Sequence, residues 1–393
     1  MISQAVAPDR TIRVLYFSGY SHPTHHRKVE LLADTPNLEI VNINGPGCDR
    51  KPGQYPSANG QQTYTLQIAA DAYVGRHDVY RTFHWPPRFG LQKFRPHLIY
   101  CEHEQEGLLA FEVALLRNLL ATHTPLVLYS WQNLLRPRAW YVRAVSDFTL
   151  RAAQHIFCAS SEGLEVLRQQ GYRGGGSIIQ QMGLDTRLFY PKPASELRSR
   201  LGLSGFVVGF IGRLVPEKGV DTLLQAVAGV QSRRQLSVLI VGNGSQRASL
   251  QAQVQSLGLA DRCRFVDEVP HDQLVDYVNV LNLLVLPSRT TAQWKEQFGR
   301  VLTEAMACKV NVAGSDSGAI AEVIDDPDRI FREGDAAQLS AIIDYLAMNP
   351  TVCHSVAERG YRRVLENYTV ERLAEKTLDA WLNLLVPDNG TSM

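Results

Sequence analysis

The chain has 393 residues, of which 45% are hydrophobic, 20% charged and 8% aromatic. This length and apolar content predict two domains with full hydrophobic cores. The 40 Lys and Arg residues nearly balance the 39 Asp and Glu residues, and the net charge of +1 excludes a strongly basic nucleic-acid-binding protein.

No apolar run approaches the roughly 18 residues of a membrane-spanning helix, and the first residues do not follow the pattern of a secretory signal peptide. The six cysteines are scattered, with no Cys-x-x-Cys pair. This spacing predicts reduced thiols and neither a zinc site nor a disulfide scaffold. We therefore expect a cytoplasmic protein.

Short apolar runs rich in branched residues recur along the first half of the chain. They predict buried parallel strands at 11–17, 38–43, 97–101, 125–129 and 155–159. Helical patterns lie between them, most clearly at 106–120 and 143–153. The segments 45–63 and 80–95 lack either pattern and predict long loops.

The alternation begins again in the second half, with strands predicted at 206–211, 237–241, 263–266, 283–286 and 310–313 and helices at 298–308 and 370–385. Strand–helix alternation predicts right-handed βαβ units, and two rounds of it predict an α/β protein of two Rossmann-like domains. The proline pair Pro191 and Pro193 marks the boundary. We expect domains at 1–190 and 191–368, followed by a terminal helix and tail at 369–393.

Two basic residues flank a turn at the start of the second domain. Gly212 and Arg213 follow a buried strand, and Lys218 directly precedes the next helix. Ligands of open α/β sheets bind beyond the carboxyl ends of strands, where cations and a helix N-terminus suit a diphosphate. A solvated charged turn is the alternative.

Two glutamates with the spacing Glu-x7-Glu follow a later strand. Glu296 precedes the predicted helix and Glu304 lies within it. Carboxylates accept hydrogen bonds from sugar and ribose hydroxyls, and the N–H groups of Gln297, Phe298 and Gly299 can donate from the helix start. Taken alone, the pair also fits an ordinary amphipathic helix.

In this order and spacing, five motifs between 206 and 324 resemble those of a family-4 glycosyltransferase of the GT-B fold. They are GRLVPEKGVDTLLQA, VGNG, EVPHDQL, LPSRTTAQWKEQFGRVLTEAMAC and GSDSGAIAEVI. The resemblance implies two domains facing across a cleft, with the C-terminal helix returning to the first domain. It also implies retaining, metal-independent transfer from a nucleoside-diphosphate sugar, UDP-linked or GDP-linked, with no cofactor.

The resemblance implies roles for individual residues. Arg213 and Lys218 would stabilise the leaving diphosphate, and Glu296 would hold the donor sugar. Glu304 would bind the ribose, and the backbone near His271 would meet the base. The implied donor contacts are Gly19, Gly212, Gly242, Val269, Pro270, His271, Leu274, Gln297, Phe298, Gly299, Leu302 and Glu304.

The chain departs from the family pattern at several places. Gln297 stands where the family usually has glycine, and Gly19 alone represents a glycine pair. Gln132 and Asn133 follow the strand after which the family often places a histidine. Either amide replaces a hydrogen bond but not a proton transfer.

Acidic and histidine side chains near the first strands are candidate acceptor contacts. Glu102, Glu104 and Glu106 follow one strand and His22 another, while a solvated acidic loop is the alternative for the glutamates. A zinc site at His22, His25 and His26 is disfavoured, because no cysteine or carboxylate is closely spaced with them.

Two further segments carry charged patterns. Asp325, Asp326 and Asp328 resemble a metal-binding Asp-x-Asp motif, but their position beside a proline predicts a turn. Arginines alternate with aromatic residues at 136–151. This pattern fits a segment that contacts an anionic membrane or, as we favour, a helix whose arginines face solvent.

The sequence therefore predicts a glycosyltransferase acting on a saccharide, lipid-linked or small-molecule acceptor, with peripheral membrane contact left open. Two alternatives stay open. One is a GT-B sugar-nucleotide epimerase, and the other is a nucleotide-sugar-binding protein without turnover.

Overall fold

The computed structural model of the protein describes residues 11–18, 23–45, 48–71, 83–84, 90–230 and 236–385. The strands are β1 (Ile12–Ser18), β2 (Leu38–Asn44), β3 (Gly53–Pro56), β4 (Thr63–Ile68), β5 (Ala70–Asp71), β6 (Phe83–His84), β7 (Leu98–Glu102), β8 (Leu126–Ser130), β9 (His155–Cys158), β10 (Gly175–Ile178), β11 (Phe206–Ile211), β12 (Leu236–Val241), β13 (Cys263–Val266), β14 (Leu283–Leu286), β15 (Asn311–Ser315) and β16 (Ile330–Phe331).

The α-helices are α1 (Pro23–Ala33), α2 (Leu108–Leu120), α3 (Trp140–Ala152), α4 (Ser161–Gln169), α5 (Ser195–Arg200), α6 (Val220–Gly229), α7 (Arg247–Ser256), α8 (Leu274–Asn279), α9 (Arg300–Ala307), α10 (Ile320–Ile324), α11 (Ala336–Met348), α12 (Pro350–Asn367) and α13 (Val370–Leu385). A π-helical turn spans Gly90–Phe94, and 3-10 turns span Pro216–Lys218 and Pro327–Arg329. None of the described helices is both long and apolar enough to cross a membrane.

The chain divides into two compact units. Unit 1 contains Met1–Gly183 and Val370–Met393, and unit 2 contains Leu184–Thr369. Each is built on a predominantly parallel sheet with Rossmann-like strand order, as the α/β alternation predicts.

The main sheet of unit 1 has eight strands in the order β10-β9-β8-β7-β1-β2-β4-β3. Every neighbouring pair is parallel except β3 and β4. Alternate residues of β1 enter two separate cores, Leu15 and Phe17 in one and Val14 and Tyr16 in the other. Because both faces are covered, the strand is a continuous apolar run.

The sheet of unit 2 has six strands in the order β13-β12-β11-β14-β15-β16, and every pair is parallel. The strand order reverses between β11 and β14, which are neighbours in space but not in sequence. In unit 1 it reverses between β1 and β7. Such switch points are where open α/β sheets bind ligands, beyond the carboxyl ends of the strands.

Three predictions of local structure differ from the structure. The predicted loop 45–63 contains β3, which pairs antiparallel with β4 at the sheet edge. Its residues are mostly exposed, so no apolar pattern announces the strand. The other predicted loop, 80–95, lies partly outside the described residues and ends in the π-helical turn. Helix α9 begins at Arg300, not Phe298, because Gly299 at its N-cap has φ 82° and interrupts the helical conformation.

The units divide at 184, upstream of the predicted boundary at 191. The connecting residues pack onto unit 2. The Leu184 N–H donates to Tyr368 O at 2.8 Å, and Phe189 is buried with its ring 5.2 Å from that of His271. At the other end, α13 begins at Val370 and packs within unit 1, as the resemblance implies for the terminal helix.

Candidate functional site

A charged side chain lies on the segment that follows each of the two strands at the switch point of unit 2. The turn after β11 carries Lys218, and the loop after β14 carries Glu296. Lys218 Nζ lies 2.6 Å from Glu296 Oε2, and both side chains are largely buried. The structure thus brings together two residues that the sequence analysis placed in separate motifs.

Two further side chains surround this ion pair. The hydroxyl of Ser288, which is fully buried, donates to Glu296 Oε2 at 2.9 Å. The ring of Trp294 lies 4.7 Å from Lys218 Nζ, within cation–π range. The lysine is therefore held by a carboxylate and an aromatic face.

Backbone contacts fix the two loops to each other. The Arg289 N–H donates to Glu217 O at 2.8 Å. Gly219 adopts φ 61°, and a Cβ there would lie 2.0 Å from Pro287 O. Only glycine fits this close approach, so the residue after Lys218 sets the distance between the two loops.

A second glycine supports Glu296 from the other side. Gly318 has φ 56°, and a Cβ there would lie 2.0 Å from Glu296 O. The next residue, Ala319, donates its N–H to the same carbonyl at 3.1 Å. The segment after β15 thereby positions the backbone of Glu296.

Arg213 follows Gly212 at the end of β11. Its side chain is exposed, and across the described part of the chain it makes no ion pair. Gly242, a predicted donor contact, lies against Gly212: it adopts φ 137°, and a Cβ would lie 2.0 Å from Gly212 O. This glycine keeps the exits of β11 and β12 close together.

A second polar pair forms between the loop after β13 and α9. His271 Nε2 lies 3.2 Å from Glu304 Oε1, and Arg300 Nη2 lies 3.7 Å from the same oxygen. The Glu304 side chain is only 6% exposed and that of His271 37%. The sequence analysis assigned a role only to the backbone at this histidine.

The remaining predicted donor contacts differ in exposure. Gln297 and Pro270 are exposed, and Val269 and Leu274 are half-buried. Phe298 is buried, with its ring 5.4 Å from that of Tyr368. Leu302 is fully buried, and its side chain is part of the hydrophobic core.

Two backbone N–H groups lie just before the first turn of α9. Those of Phe298 and Gly299 donate to no acceptor among the described residues. They precede the helix, where the sequence analysis expected them to open it. Because unpaired N–H groups at a helix start attract oxygen ligands, they remain suited to that role.

In unit 1, Gly19 and His22 lie outside the described residues. Glu102, at the end of β7, is 1% exposed. It accepts from Lys28 Nζ at 3.0 Å and from the Tyr100 hydroxyl at 3.1 Å. A carboxylate in this position is a buried, paired group and not part of a solvated loop.

Glu104 ties two strand exits together. It accepts from the Ser130 hydroxyl at 2.8 Å and from the Trp131 N–H at 2.6 Å. Burial raises the pKa of Glu104 to about 7, and these two hydrogen bonds only partly oppose the shift. Glu106 forms an ion pair with Arg138 at 2.6 Å. The solvated-loop alternative is thus wrong for these glutamates as well.

Gln132 and Asn133 are both buried. Gln132 Oε1 accepts from Gln105 at 2.8 Å and from Gln170 at 3.0 Å. The carbonyl predicted to replace a sugar-binding histidine is therefore committed to a cluster of glutamines within unit 1.

The aspartates at 325, 326 and 328 form a turn, as predicted. Asp325 pairs with Arg363 at 2.6 Å and Asp326 with Arg359 at 2.9 Å, both arginines on α12.

In the basic aromatic segment, Trp140 and Tyr141 at the start of α3 are 80% and 52% exposed, while the later turns bury apolar residues.

Residues 196–363, within unit 2, match the family model described as glycosyl transferases group 1. A 2-deoxystreptamine glucosyltransferase of Streptomyces kanamyceticus is 29% identical over 59% of this chain and 61% of its own length. The lipopolysaccharide core biosynthesis mannosyltransferase LpcC of Rhizobium leguminosarum is 33% identical over 54% of this chain and 60% of its own. The chain thus matches about three fifths of the length of these relatives.

The crystal structure of Anabaena HepE in complex with UDP and glucose superposes with a TM-score of 0.65 at 18% identity, covering 95% of this chain and 100% of that one. This likeness shows that the chain has the GT-B fold. The residues that match the group 1 glycosyltransferase model all lie in unit 2.

Sequence reasoning missed three supporting residues of the unit 2 site: Ser288, Trp294 and Gly318. All three lie inside the motifs on which the resemblance rests. Their roles depend on contacts between segments that are far apart in sequence, and spacing alone does not show them.

Proposed function

We propose that the protein is a retaining, metal-independent glycosyltransferase. It moves a hexose from a UDP- or GDP-linked donor to a hydroxyl group of a saccharide, lipid-linked or small-molecule acceptor. The observation that carries the proposal is the meeting of Lys218 and Glu296 at the switch point of unit 2, within a group 1 glycosyltransferase domain.

The two cations of the first motif act on the leaving group. Arg213 and Lys218 bind the diphosphate, and their charge stabilises the negative charge that grows on it as the sugar–oxygen bond breaks. This is electrostatic stabilisation by preorganised groups, and it takes the place of a divalent metal ion. Trp294 limits the positions of the lysine before the donor arrives.

The glutamates recognise hydroxyl groups. Glu296, buried beside Ser288, accepts hydrogen bonds from the donor sugar, and the N–H groups of Phe298 and Gly299 donate to it. Glu304 binds the ribose diol, with His271 orienting the carboxylate. Retention of the anomeric configuration is supported by the family whose motifs the chain carries.

The donor class is supported by the relatives. The two curated ones are a glucosyltransferase and a mannosyltransferase, and the solved neighbour holds UDP and glucose. The carboxylates of Glu102 and Glu104, at the exit of β7 in unit 1, are the proposed acceptor contacts.

A transfer assay tests this proposal. The protein is incubated with UDP-glucose or GDP-mannose and a panel of acceptors, with EDTA present, and products are identified by mass spectrometry and the anomeric proton signal. We expect an acceptor-dependent product of retained configuration. In Lys218→Ala, turnover should fall by about 10²–10³-fold.

Lys309→Ala is the matched control. Lys309 pairs with Glu358 at 2.7 Å and lies 4.9 Å from the ring of Tyr361, so it has the same kind of surroundings away from the site. This variant should keep its activity. Full activity in Lys218→Ala, an inverted product, or loss of turnover in EDTA would contradict the proposal. An epimerised donor without acceptor would indicate the epimerase instead.

A further inference from the structure

Three potential metal ligands converge in unit 1 at the carboxyl end of the sheet. His26 on α1 meets Cys48 and Asp49 from the segment after β2. His26 Nε2 lies 2.7 Å from Asp49 Oδ1, and Cys48 Sγ lies 3.8 Å and 3.9 Å from these two atoms. All three ligand atoms lie within 4.8 Å of one another.

Chain folding creates this cluster, since the ligands come from two separate elements. The sequence analysis disfavoured zinc at the histidines because no cysteine or carboxylate was close in sequence. In the folded chain, Cys48 and Asp49 nevertheless lie beside His26, 22 and 23 residues away in sequence. The side chain of His26 is 1% exposed, whereas that of Asp49 is 41% exposed. One ligand is therefore fixed inside the protein, and another is open to an ion arriving from solvent.

Neighbouring contacts hold the ligand segment in place. The Cys48 N–H donates to Gly45 O at 3.1 Å, and the Gly45 N–H donates to Asn44 Oδ1 at 2.8 Å. The adjacent cation, Arg50, is bound to Glu30 at 2.7 Å and to the Tyr64 hydroxyl at 2.8 Å. This neighbouring positive charge is thus already committed to other partners.

The distances suit a tetrahedral ion. Bonds of about 2.0–2.3 Å at tetrahedral angles separate neighbouring ligand atoms by about 3.3–3.6 Å. The two distances to sulfur are slightly longer than this, and the distance between His26 and Asp49 is shorter. The shorter one is a hydrogen bond, and an ion that displaces its proton would let these two atoms move apart.

The chemistry of the donors selects the metal. A neutral imidazole, a thiolate and a carboxylate together carry two negative charges, which balance a divalent cation. A sulfur–nitrogen–oxygen set favours Zn²⁺ over Mg²⁺ or Ca²⁺, which prefer oxygen ligands. We propose that His26, Cys48 and Asp49 bind a Zn²⁺ ion that fastens the segment after β2 to α1, with water as fourth ligand. This site goes beyond the proposed transfer, in which the ion takes no part.

Cobalt substitution tests the site directly. The full chain is stripped of metal under reducing conditions and titrated with Co²⁺, which gives a near-ultraviolet charge-transfer band only when a thiolate is bound. We expect one equivalent to bind, with Zn²⁺ but not Mg²⁺ displacing it. Cys48→Ser should abolish the band, and Asp49→Asn should weaken binding by about tenfold or more.

Cys353→Ser is the matched control, because Cys353 is the other partly exposed cysteine within the described residues. It should leave the band unchanged. A band that survives in Cys48→Ser, or no Co²⁺ binding by the wild-type chain, would overturn the proposal. Because serine differs from cysteine only in having oxygen in place of sulfur, Cys48→Ser should keep the near-ultraviolet circular dichroism of the folded protein. The readout is independent of glycosyl transfer, so a failed transfer assay leaves this test intact.

Discussion

The charged residues of the unit 2 site hold one another in place. Lys218 is bound by Glu296, which is bound in turn by Ser288, and His271 is bound by Glu304. Pairing keeps buried charges from being left alone, which would be costly. In the proposed function, a donor exchanges the existing partners of Lys218, Glu296 and Glu304, whereas Arg213 is exposed before the donor binds.

Trp294 is expected to matter for turnover without touching the reacting atoms. Trp294→Ala removes the ring from Lys218, and we expect kcat/KM to fall by about tenfold, or ~1.4 kcal/mol, within the range of a buried cation–π contact. Trp294→Phe keeps an aromatic face and should recover most of the activity.

The control is Tyr361→Ala, which removes the equivalent ring from Lys309. It should leave steady-state kinetics unchanged. Unchanged kinetics in Trp294→Ala as well would show that the ring does not position Lys218.

The close approach at Gly318 gives a prediction about stability and activity together. An added Cβ meets Glu296 O at 2.0 Å, whereas one at Gly258, with φ 66°, meets nothing within 4 Å. In both variants, alanine must adopt a left-handed backbone conformation, which lowers the stability of the folded chain. We expect Gly318→Ala to lose about 2 kcal/mol more than Gly258→Ala, and to lose transfer activity. Equal melting temperatures in the two variants would contradict this contact.

At the scale of elements, prediction succeeded where burial is complete. The strands at 206–211 and 283–286 have the predicted bounds and are almost wholly buried, as expected of apolar runs covered on both faces of a parallel sheet. The strand at 263–266 also has the predicted bounds but is only partly buried. The exposed edge strand β3 leaves no such pattern. The start of α9 depends on the left-handed Gly299, and sequence periodicity does not reveal a backbone angle.

Glu104 couples the exits of β7 and β8, and its protonation is expected to affect stability. Its folded pKa of about 7 lies above the ordinary value of 4.5, so the folded chain binds the proton more tightly than the unfolded chain. The contribution of Glu104 to stability is therefore full below about pH 4.5 and declines as pH rises to about 7.

Glu104→Gln removes this titration. Between pH 5 and pH 8, the free energy of unfolding of the variant should improve relative to the wild type by about 2.5 kcal/mol. Urea unfolding of both proteins across this range measures the difference. A difference that does not vary with pH would show that Glu104 is charged throughout.

At the scale of the whole molecule, the last helix returns to the first unit. Trp381 on α13 is 1% exposed and lies against Tyr100 at 5.3 Å and Tyr16 at 6.1 Å. The first and the last described residues of the chain thus both belong to unit 1. The resemblance predicted this return, while the aromatic partners of Trp381 became known only from the structure.

Trp381→Ala should destabilise unit 1 by about 3–5 kcal/mol, the usual cost of removing a buried aromatic residue. Amide hydrogen exchange in β1 and β7 reports on this unit specifically and should accelerate. Trp140→Ala, at an 80% exposed position, is the control and should change stability by less than about 0.5 kcal/mol. Equal exchange rates in the two variants would refute the role of α13.

The charged site residues could be predicted from sequence because Lys218, Glu296 and Glu304 stand at fixed positions in motifs. The pairing of Lys218 with Glu296 could not, because it depends on β11 and β14 being neighbours in the sheet. The same limit applies to His26, whose sulfur and oxygen neighbours come from a different element.

The central claim is that unit 2 binds a nucleoside diphosphate without metal, and thermal unfolding with UDP, GDP, ADP or dTDP in EDTA tests it most directly. A nucleotide at about 100 times its Kd adds about 2.7 kcal/mol to stability. We predict that UDP or GDP raises the Tm of the wild type and of Glu358→Ala, but much less that of Glu304→Ala. The account would be contradicted if none of the four changed the wild-type Tm, or if Glu304→Ala responded fully.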